Sequence, residues 1–416
     1  MSDIIFAEQR PAASIGNTMP ALTLPLPLLL ALLTALSPLA IDMYLPAMEA
    51  MAGDLQTSIH LVELSVSSYL LGFALGQLGG GPLSDRYGRR PLIITGLILF
   101  ALSSAALMLT TSLEALLTLR FLQAIGGGLA TVNSSAIVRD RFQGADVAKT
   151  LSLVSMIMML APLVAPMLGA LTLSFAGWRT IFQTLTIYAV LVLIILVWQL
   201  EESHPPHKRQ QRLPVRDYLR VIRHVRARRF ILAQALASTG MFVFITASPY
   251  LYLDYFEQDA EHFPWLFGAN VLTMMAMNRL NILLLRRFDS QQILRAGLSL
   301  QLSSALLLVL LFSAYPQQAS LSLTLPLMML FIGSLGLISA NATATILHYF
   351  RDISATATAL TGVSVFCSGA LFGLIWGHLH NGTPLPMMAV MLCTALLANL
   401  ALCRIPAEQS DAVTTS

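Results

Sequence analysis

The sequence predicts an all-α polytopic membrane protein, twelve transmembrane helices in two pseudo-symmetric six-helix bundles, and three observations carry that reading. Apolar residues make up 56% of the 416-residue chain and charged ones 11%, with a mean hydropathy of +0.73. A soluble core could not hide that much apolar surface. Twelve apolar runs are long enough to cross a hydrocarbon core, which takes about 20 residues of helix. Basic residues gather on one side of those runs, as cytoplasmic loops do.

Taken in order, the first six spans are expected at 22–45, 61–80, 92–111, 115–138, 150–173 and 178–200. The second six are expected at 230–253, 264–285, 294–314, 323–347, 355–379 and 386–403. Residues 1–21 lack an apolar core and read as a cytoplasmic tail, not a cleavable leader, so the first span is retained. A basic cytoplasmic linker, 201–229, with Pro205, Pro206 and Pro214, separates the bundles 22–200 and 230–404, and residues 405–416 form a second cytoplasmic tail. Two halves of nearly equal length with six spans each indicate a duplicated unit. The linker enforces topology, and its stretch 215–228 has the pattern of a surface amphipathic helix.

Of the 24 Lys and Arg residues, 21 fall on the cytoplasmic side when the N-terminus is placed inside. They are Arg10, the cluster Arg86, Arg89 and Arg90, then Arg139, Arg141 and Lys149, nine between Lys208 and Arg229, then Arg286, Arg287, Arg295, Arg351 and Arg404. Arg120 and Arg279 lie inside spans, and Arg179 lies at the outer end of the sixth. The outer loop 254–263 carries Asp254, Glu257, Asp259 and Glu261 and no basic residue. Both termini are therefore expected in the cytoplasm, and the net charge of +3 reflects topology, not nucleic-acid binding.

Small residues at four-residue spacing let helices approach closely in lipid. They occur as Gly72, Gly76 and Gly80 in the second span, Ala161, Ala165 and Gly169 in the fifth, and Gly369, Gly373 and Gly377 in the eleventh. Either sliding contacts between halves or static packing would use them. Cys367, Cys393 and Cys403 all fall in spans and read as packing residues. No metal-ligand cluster, nucleophile triad or phosphate loop is evident, so no catalytic residue, metal or enzymatic activity is expected.

The loop after the second span reads Gly81-Pro-Leu-Ser-Asp85-Arg86-Tyr-Gly88-Arg89-Arg90, a glycine-permitted turn with one carboxylate beside three arginines. Such a network suits a conformational latch that closes in one state and opens in the other. This segment resembles the signature between the second and third helices of the major facilitator superfamily. Arg120-Phe-Leu-Gln123-Ala-Ile-Gly126-Gly-Gly128 is similar to that family's fourth-helix motif, with Ala124 where glycine is usual. Ala161-Pro162-Leu-Val-Ala165-Pro166-Met-Leu-Gly169-Ala170 is similar to the antiporter motif of drug exporters, with Pro162, Pro166 and Gly169 kept.

Within the superfamily the chain most resembles the bicyclomycin and chloramphenicol resistance branch of the drug:proton antiporters, over nearly its whole length. Ile41-Asp42-Met-Tyr44-Leu-Pro46 is the most telling segment, joined by Ser248-Pro-Tyr250, Phe267-Gly-Ala-Asn270, Asn341-Ala-Thr and Ala357-Thr-Ala-Leu-Thr-Gly362. Arg287-Phe-Asp289-Ser looks like a degenerate second copy of the latch. The resemblance implies the major facilitator fold with alternating access, and proton-driven multidrug efflux from the bacterial inner membrane. Small-molecule substrates, protons and the lipid bilayer would be the only partners of a monomer, with the proton gradient and no cofactor as energy source. Compounds of the bicyclomycin, chloramphenicol or sulfonamide type are expected. A proton-coupled exporter or importer of an amino acid, nucleoside or siderophore is the alternative, and a non-transporting sensor a weaker third.

Asp42 reads as the one carboxylate well inside a span, with Glu63 and Glu114 at span starts and Glu49 at an end, and an intramembrane carboxylate is functional by default. Pro38 and Pro46 flank it and should kink the helix. Counting from the outer ends places Asp42 and Arg120 at a similar depth of roughly 8 Å, so the two are expected to pair and to form the proton-coupling site. Aromatic and thioether walls suit a cavity for varied amphiphiles. The candidates are Met43, Tyr44, Tyr69, Phe73, Gln123, Asn133, Met156, Met159, Phe244, Tyr250, Asn270, Asn341 and Phe366.

Overall fold

The computed structural model describes residues 24–209, 215–315, 319–350 and 353–403. Twelve helical rods follow one another: α1 (Leu26–Asp54), α2 (Ile59–Tyr87), α3 (Arg89–Leu107), α4 (Leu113–Arg141), α5 (Ala145–Ala176) and α6 (Arg179–Gln199). After a short helix Val215–Arg223 in the linker come α7 (Val225–Tyr255), α8 (Phe263–Leu284), α9 (Ser290–Ala314), α10 (Leu321–Tyr349), α11 (Ser354–Leu379) and α12 (Leu385–Cys403). Among the described residues eleven helices are long and apolar enough to cross a membrane. The twelfth rod, α8, has 22 residues but carries Asn270, Asn278, Arg279 and Asn281.

Packing repeats between the halves. In the first, α1 lies on α5, α2 on α4 and α3 on α6; in the second, α7 lies on α11, α8 on α10 and α9 on α12. The seam is symmetric too, because α2 meets α11 on one side and α5 meets α8 on the other. All-helical halves satisfy their backbone groups internally, which lipid requires.

Several rods run longer than the hydropathy pattern predicts. The first was expected to end at Leu45, but it turns through Met43 and Tyr44, makes a tight turn over Leu45–Ala47 and resumes helix to Asp54. Proline is tolerated in a helix's first turn, so Pro46, expected to kink the span, lies in the tight turn from which the rod resumes. The second rod continues seven residues beyond Gly80, and the expected loop shrinks to Gly88 alone. At the linker, α7 begins at Val225 because only His224 interrupts the helix. Arg10, Arg351 and Arg404, residues 210–214 of the linker and both expected tails lie outside the described residues.

The glycine stripes divide by role. A Cβ at Gly72 would stand 2.3 Å from the Phe121 carbonyl and one at Gly76 2.5 Å from that of Ile125, so the α2 stripe packs on α4 within its own half. In α11, a Cβ at Gly369 would meet Phe242 of the same half, whereas Gly373 and Gly377 meet Ser67 and Leu64 across the seam. The α11 stripe thus lies partly between the halves. The cysteines were expected in the packing; instead Cys393 and Cys403 are exposed and Cys367 is half-buried.

Candidate functional site

Asp42 closes the first segment of α1, at the break that the flanking prolines produce. It is buried, 3% exposed, and its Oδ1 has no hydrogen-bond partner. Because α1 extends to Asp54, Asp42 lies about 18 Å from that end of the rod, deeper than the first-span boundary indicated. Arg120 is fully buried seven residues into α4. No ion pair joins it to Asp42. Its guanidinium carbon lies 4.2 Å from the Tyr44 ring centroid and 4.4 Å from that of Tyr69, while Nη1 donates to Gln123 Oε1 at 2.6 Å. Gln123 in turn donates to Ser104 Oγ of α3 at 2.7 Å. Nε and Nη2 of Arg120 have no acceptor.

The motif glycines explain how these groups come together. A Cβ at Gly126 would stand 2.5 Å from the Gly96 carbonyl of α3, and one at Gly128 2.6 Å from that of Phe73. Backbone contact on both faces of α4 thus sets the Arg120 side chain between α1 and α2. Gly169 of α5 is tighter still, since its Cβ would fall 1.7 Å from the Met43 carbonyl at the break of α1. Pro166 is buried and Pro162 half-buried in a continuous helix.

An aromatic seam adjoins this centre. Tyr69 stacks near Phe73 at 6.2 Å, Phe73 meets Phe366 of the other half edge-on at 4.7 Å, and Phe366 meets Phe242 at 5.4 Å. Ser67 Oγ on α2 and Thr246 Oγ1 on α7 are buried without partners along it. Of the expected cavity residues, Met43, Tyr44, Tyr69, Phe73, Gln123 and Phe366 belong to this region. Met159 reaches across the second seam, where Asn278 Nδ2 approaches its sulfur at 3.6 Å.

Others sit elsewhere. Phe244 stacks on Phe267 inside the second half at 5.7 Å, Asn270 donates to the Leu266 carbonyl at 2.8 Å, and Asn341 donates to Asn281 Oδ1 at 2.7 Å. Asn133 marks the break in α4 and donates to the Leu129 carbonyl. Met156 is 52% exposed on α5, not enclosed. Tyr250 begins a π-helical turn at the acidic-loop end of α7, away from the centre of the rods.

At the opposite end the latch residues form a network wider than the motif. Arg89 Nη1 lies 2.5 Å from Asp85 Oδ1, and its Nε lies 3.4 Å from Asp140 of α4. Gly88, at φ +105°, makes the corner. Glu202 of the linker accepts the backbone N–H groups of Arg89 and Arg90 at 3.0 and 3.2 Å, placing a carboxylate at the positive end of α3. Arg90 donates to the Val197 carbonyl of α6, and Arg86 is exposed over Tyr87. Gly81, expected in the turn, is helical with open space around its Cβ position. Burial pushes the Tyr218 phenol of the linker helix up, and the Asp85 charge adds to it. Asp140 and Glu202 were missed because pairing across 50 or more residues leaves no local pattern. In the second half Asp289 forms a capping box with Gln292 at the start of α9, so that copy serves as a helix cap.

Comparison with known proteins agrees with this architecture. The Major Facilitator Superfamily model matches residues 30–403. A bicyclomycin resistance protein homolog of Haemophilus influenzae is 29% identical over 90% of this chain and 94% of its own. A chloramphenicol resistance protein of Pseudomonas aeruginosa is 30% identical over 88% of this chain and 87% of its own. Among solved structures, the xylose transporter XylE of E. coli in a partially occluded inward-open conformation superposes with a TM-score of 0.69 at 16% identity, covering 91% of this chain and 96% of that one. The chain is a multi-pass bacterial membrane protein that belongs to the Major Facilitator Superfamily, in the branch of the bicyclomycin and chloramphenicol resistance proteins.

Proposed function

We propose that this protein is a proton-coupled secondary transporter that exports small amphiphilic compounds by alternating access of its two halves. The observation that carries the reading is the pair of buried opposite charges, Asp42 and Arg120, unbonded to each other beside an aromatic seam between the halves. Buried charges are ordinarily paired, so two left unpaired at a helix break are held for a partner that comes and goes: a proton for Asp42, a substrate or Asp42 itself for Arg120. The rings of Tyr69, Phe73 and Phe366 offer apolar faces with few fixed polar groups, which suits varied amphiphiles. The names of the resistance-protein relatives support compounds of the bicyclomycin or chloramphenicol type, and sulfonamides are proposed on the same amphiphilic chemistry.

Both termini and the basic loops face the cytoplasm, and the acidic loop faces outward across the inner membrane. The working unit is a monomer that uses the proton gradient, with no cofactor and no enzymatic turnover. Everted membrane vesicles energised to an acid interior test this. Addition of a candidate compound should partly collapse the gradient as the compound accumulates inside, in vesicles carrying the parent chain and not in vesicles carrying Asp42→Asn. Equal collapse with and without the chain, or accumulation that leaves the gradient untouched, refutes proton-coupled export.

A further inference from the structure

The acidic-loop end of the seam holds a carboxylate that the site above does not use. Glu63, expected at the start of a span, is the fifth residue of α2 and fully buried. Its Oε1 accepts the backbone N–H of Tyr250 at 3.1 Å, and its Oε2 accepts the indole N–H of Trp376 at 3.0 Å. One side chain of the first half is thereby bonded to both α7 and α11 of the second. Trp376 is itself fully buried. One turn before Glu63, His60 stacks on His380 with ring centroids 4.7 Å apart, and His380 also meets Tyr250 at 4.5 Å and Trp376 at 5.1 Å edge-on.

The charges around this cluster are few. Asp254 of α7 is the acid whose field reaches Glu63, Tyr250 and His380. Three further rods, α1, α3 and α4, pack against α2. Of these, α1 carries Glu49 and Asp54 toward this end, and α4 carries Glu114. Asp54 is tied to Arg179 and Trp178. Among the described residues no lysine or arginine pairs with Glu63. Burial and then the neighbouring His60 pull the His380 imidazole below its ordinary value, with Asp254 opposing.

An ionised carboxylate accepts both N–H bonds, whereas a protonated one turns an oxygen into a donor facing an N–H and loses one of them. Protons on both His60 and His380 would place like charges in a stack. We propose that Glu63, with the His60–His380 stack above it, forms an outer gate that is closed when deprotonated and opens as the outer compartment acidifies, parting α2 from α7 and α11. The sign is the same for each group, since acid removes an acceptor at Glu63 and adds repulsion at the histidines. This gate rests on the orientation and alternating access proposed above and adds a second proton site, separate from Asp42.

Spin labels at Gly53→Cys and Glu261→Cys, both exposed near this end on opposite halves, report its opening in a chain also carrying C367S, C393S and C403S. Distances are measured by pulsed electron resonance in lipid nanodiscs without substrate, from about pH 8 to about pH 5, the range in which histidine titrates. The long-distance population should rise severalfold as pH falls. Glu63→Gln, which keeps the shape but faces an N–H with its own amide, should populate the long distance already at the alkaline end. Trp376→Phe, which keeps an aromatic ring and removes the donor, should do the same to a smaller extent. Distances that do not move with pH, or that Glu63→Gln and Trp376→Phe leave unchanged, overturn the gate. The readout needs neither export nor a known compound, so a failed vesicle assay with moving distances refutes export alone.

Discussion

Arg120 carries a buried charge that no carboxylate meets. Ring contacts to Tyr44, Tyr69 and Phe182 recover about 2 kcal/mol or more each when desolvated, and burying an ion costs several kcal/mol. Nη1 is held by Gln123, but Nε and Nη2 have no acceptor, and Asp42, with Oδ1 unbonded, is the anion that another state of the molecule can bring to them. Asp42→Asn is therefore expected to abolish proton release on adding substrate to purified protein while leaving substrate binding measurable. Arg120→Lys, which keeps the charge but loses the planar fork between the tyrosines, should retain part of the release that Arg120→Ala loses. Undiminished release from Asp42→Asn would move the coupling role elsewhere. Sequence reading reached Asp42 because a lone carboxylate in an apolar run stands out. It missed Glu63 because Ser58 and His60 made its surroundings look like the end of a span, and only the fold brings Tyr250 and Trp376 to it. It also paired Asp42 with Arg120 by depth, a count that the restart of α1 at Pro46 invalidates.

At the scale of single helices, the small residues decide how closely rods approach. The α5 stripe contains the tightest of these approaches, Gly169 against the Met43 carbonyl, and it fixes the break of α1 on which Asp42 depends. Gly169→Ala is expected to cost about 1–3 kcal/mol through overpacking, seen as a lower Tm in detergent, and to reduce transport further because α1 must shift. Gly53→Ala and Gly81→Ala meet nothing within 4 Å and should leave Tm unchanged or slightly raised. Equal Tm values for Gly169→Ala and Gly53→Ala would show that the α1–α5 contact is loose. The stripes were visible as spacing in the sequence, yet spacing does not say which neighbour they face: α2 turns its glycines to α4, while α11 turns Gly373 and Gly377 across the halves. Likewise the latch was legible as a motif, while Glu202 and Asp140, which complete it, come from the linker and α4.

Across the whole molecule, the duplication was legible because six spans on each side of one polar linker leave little else to build, and the matching contacts α1–α5 with α7–α11, α2–α4 with α8–α10 and α3–α6 with α9–α12 repeat it in space. Parity is the sharper question. Eleven helices qualify as spans on length and apolarity, and α8 falls short because its polar residues lower its apolarity. In the fold those groups are largely engaged: Asn281 is buried and bonded to Asn341 of α10, Asn270 bonds within its own rod and to Tyr252, and Asn278 faces Met159 of α5. A helix of 22 residues spans about 33 Å, enough to cross, and its three asparagines are met by neighbouring groups, while Arg279 is exposed. If α8 crosses, Arg286, Arg287 and Arg295 share a side with the linker, and so does the C-terminus; if it does not, every later rod is inverted and those arginines move to the acidic side. Tags at residue 210 and after residue 416, both outside the described residues, are expected to be protected from an impermeant reagent in intact cells and accessible in everted vesicles. A protected tag at 210 with an accessible C-terminal tag would mean an odd number of crossings after the linker and would remove α8 from the membrane.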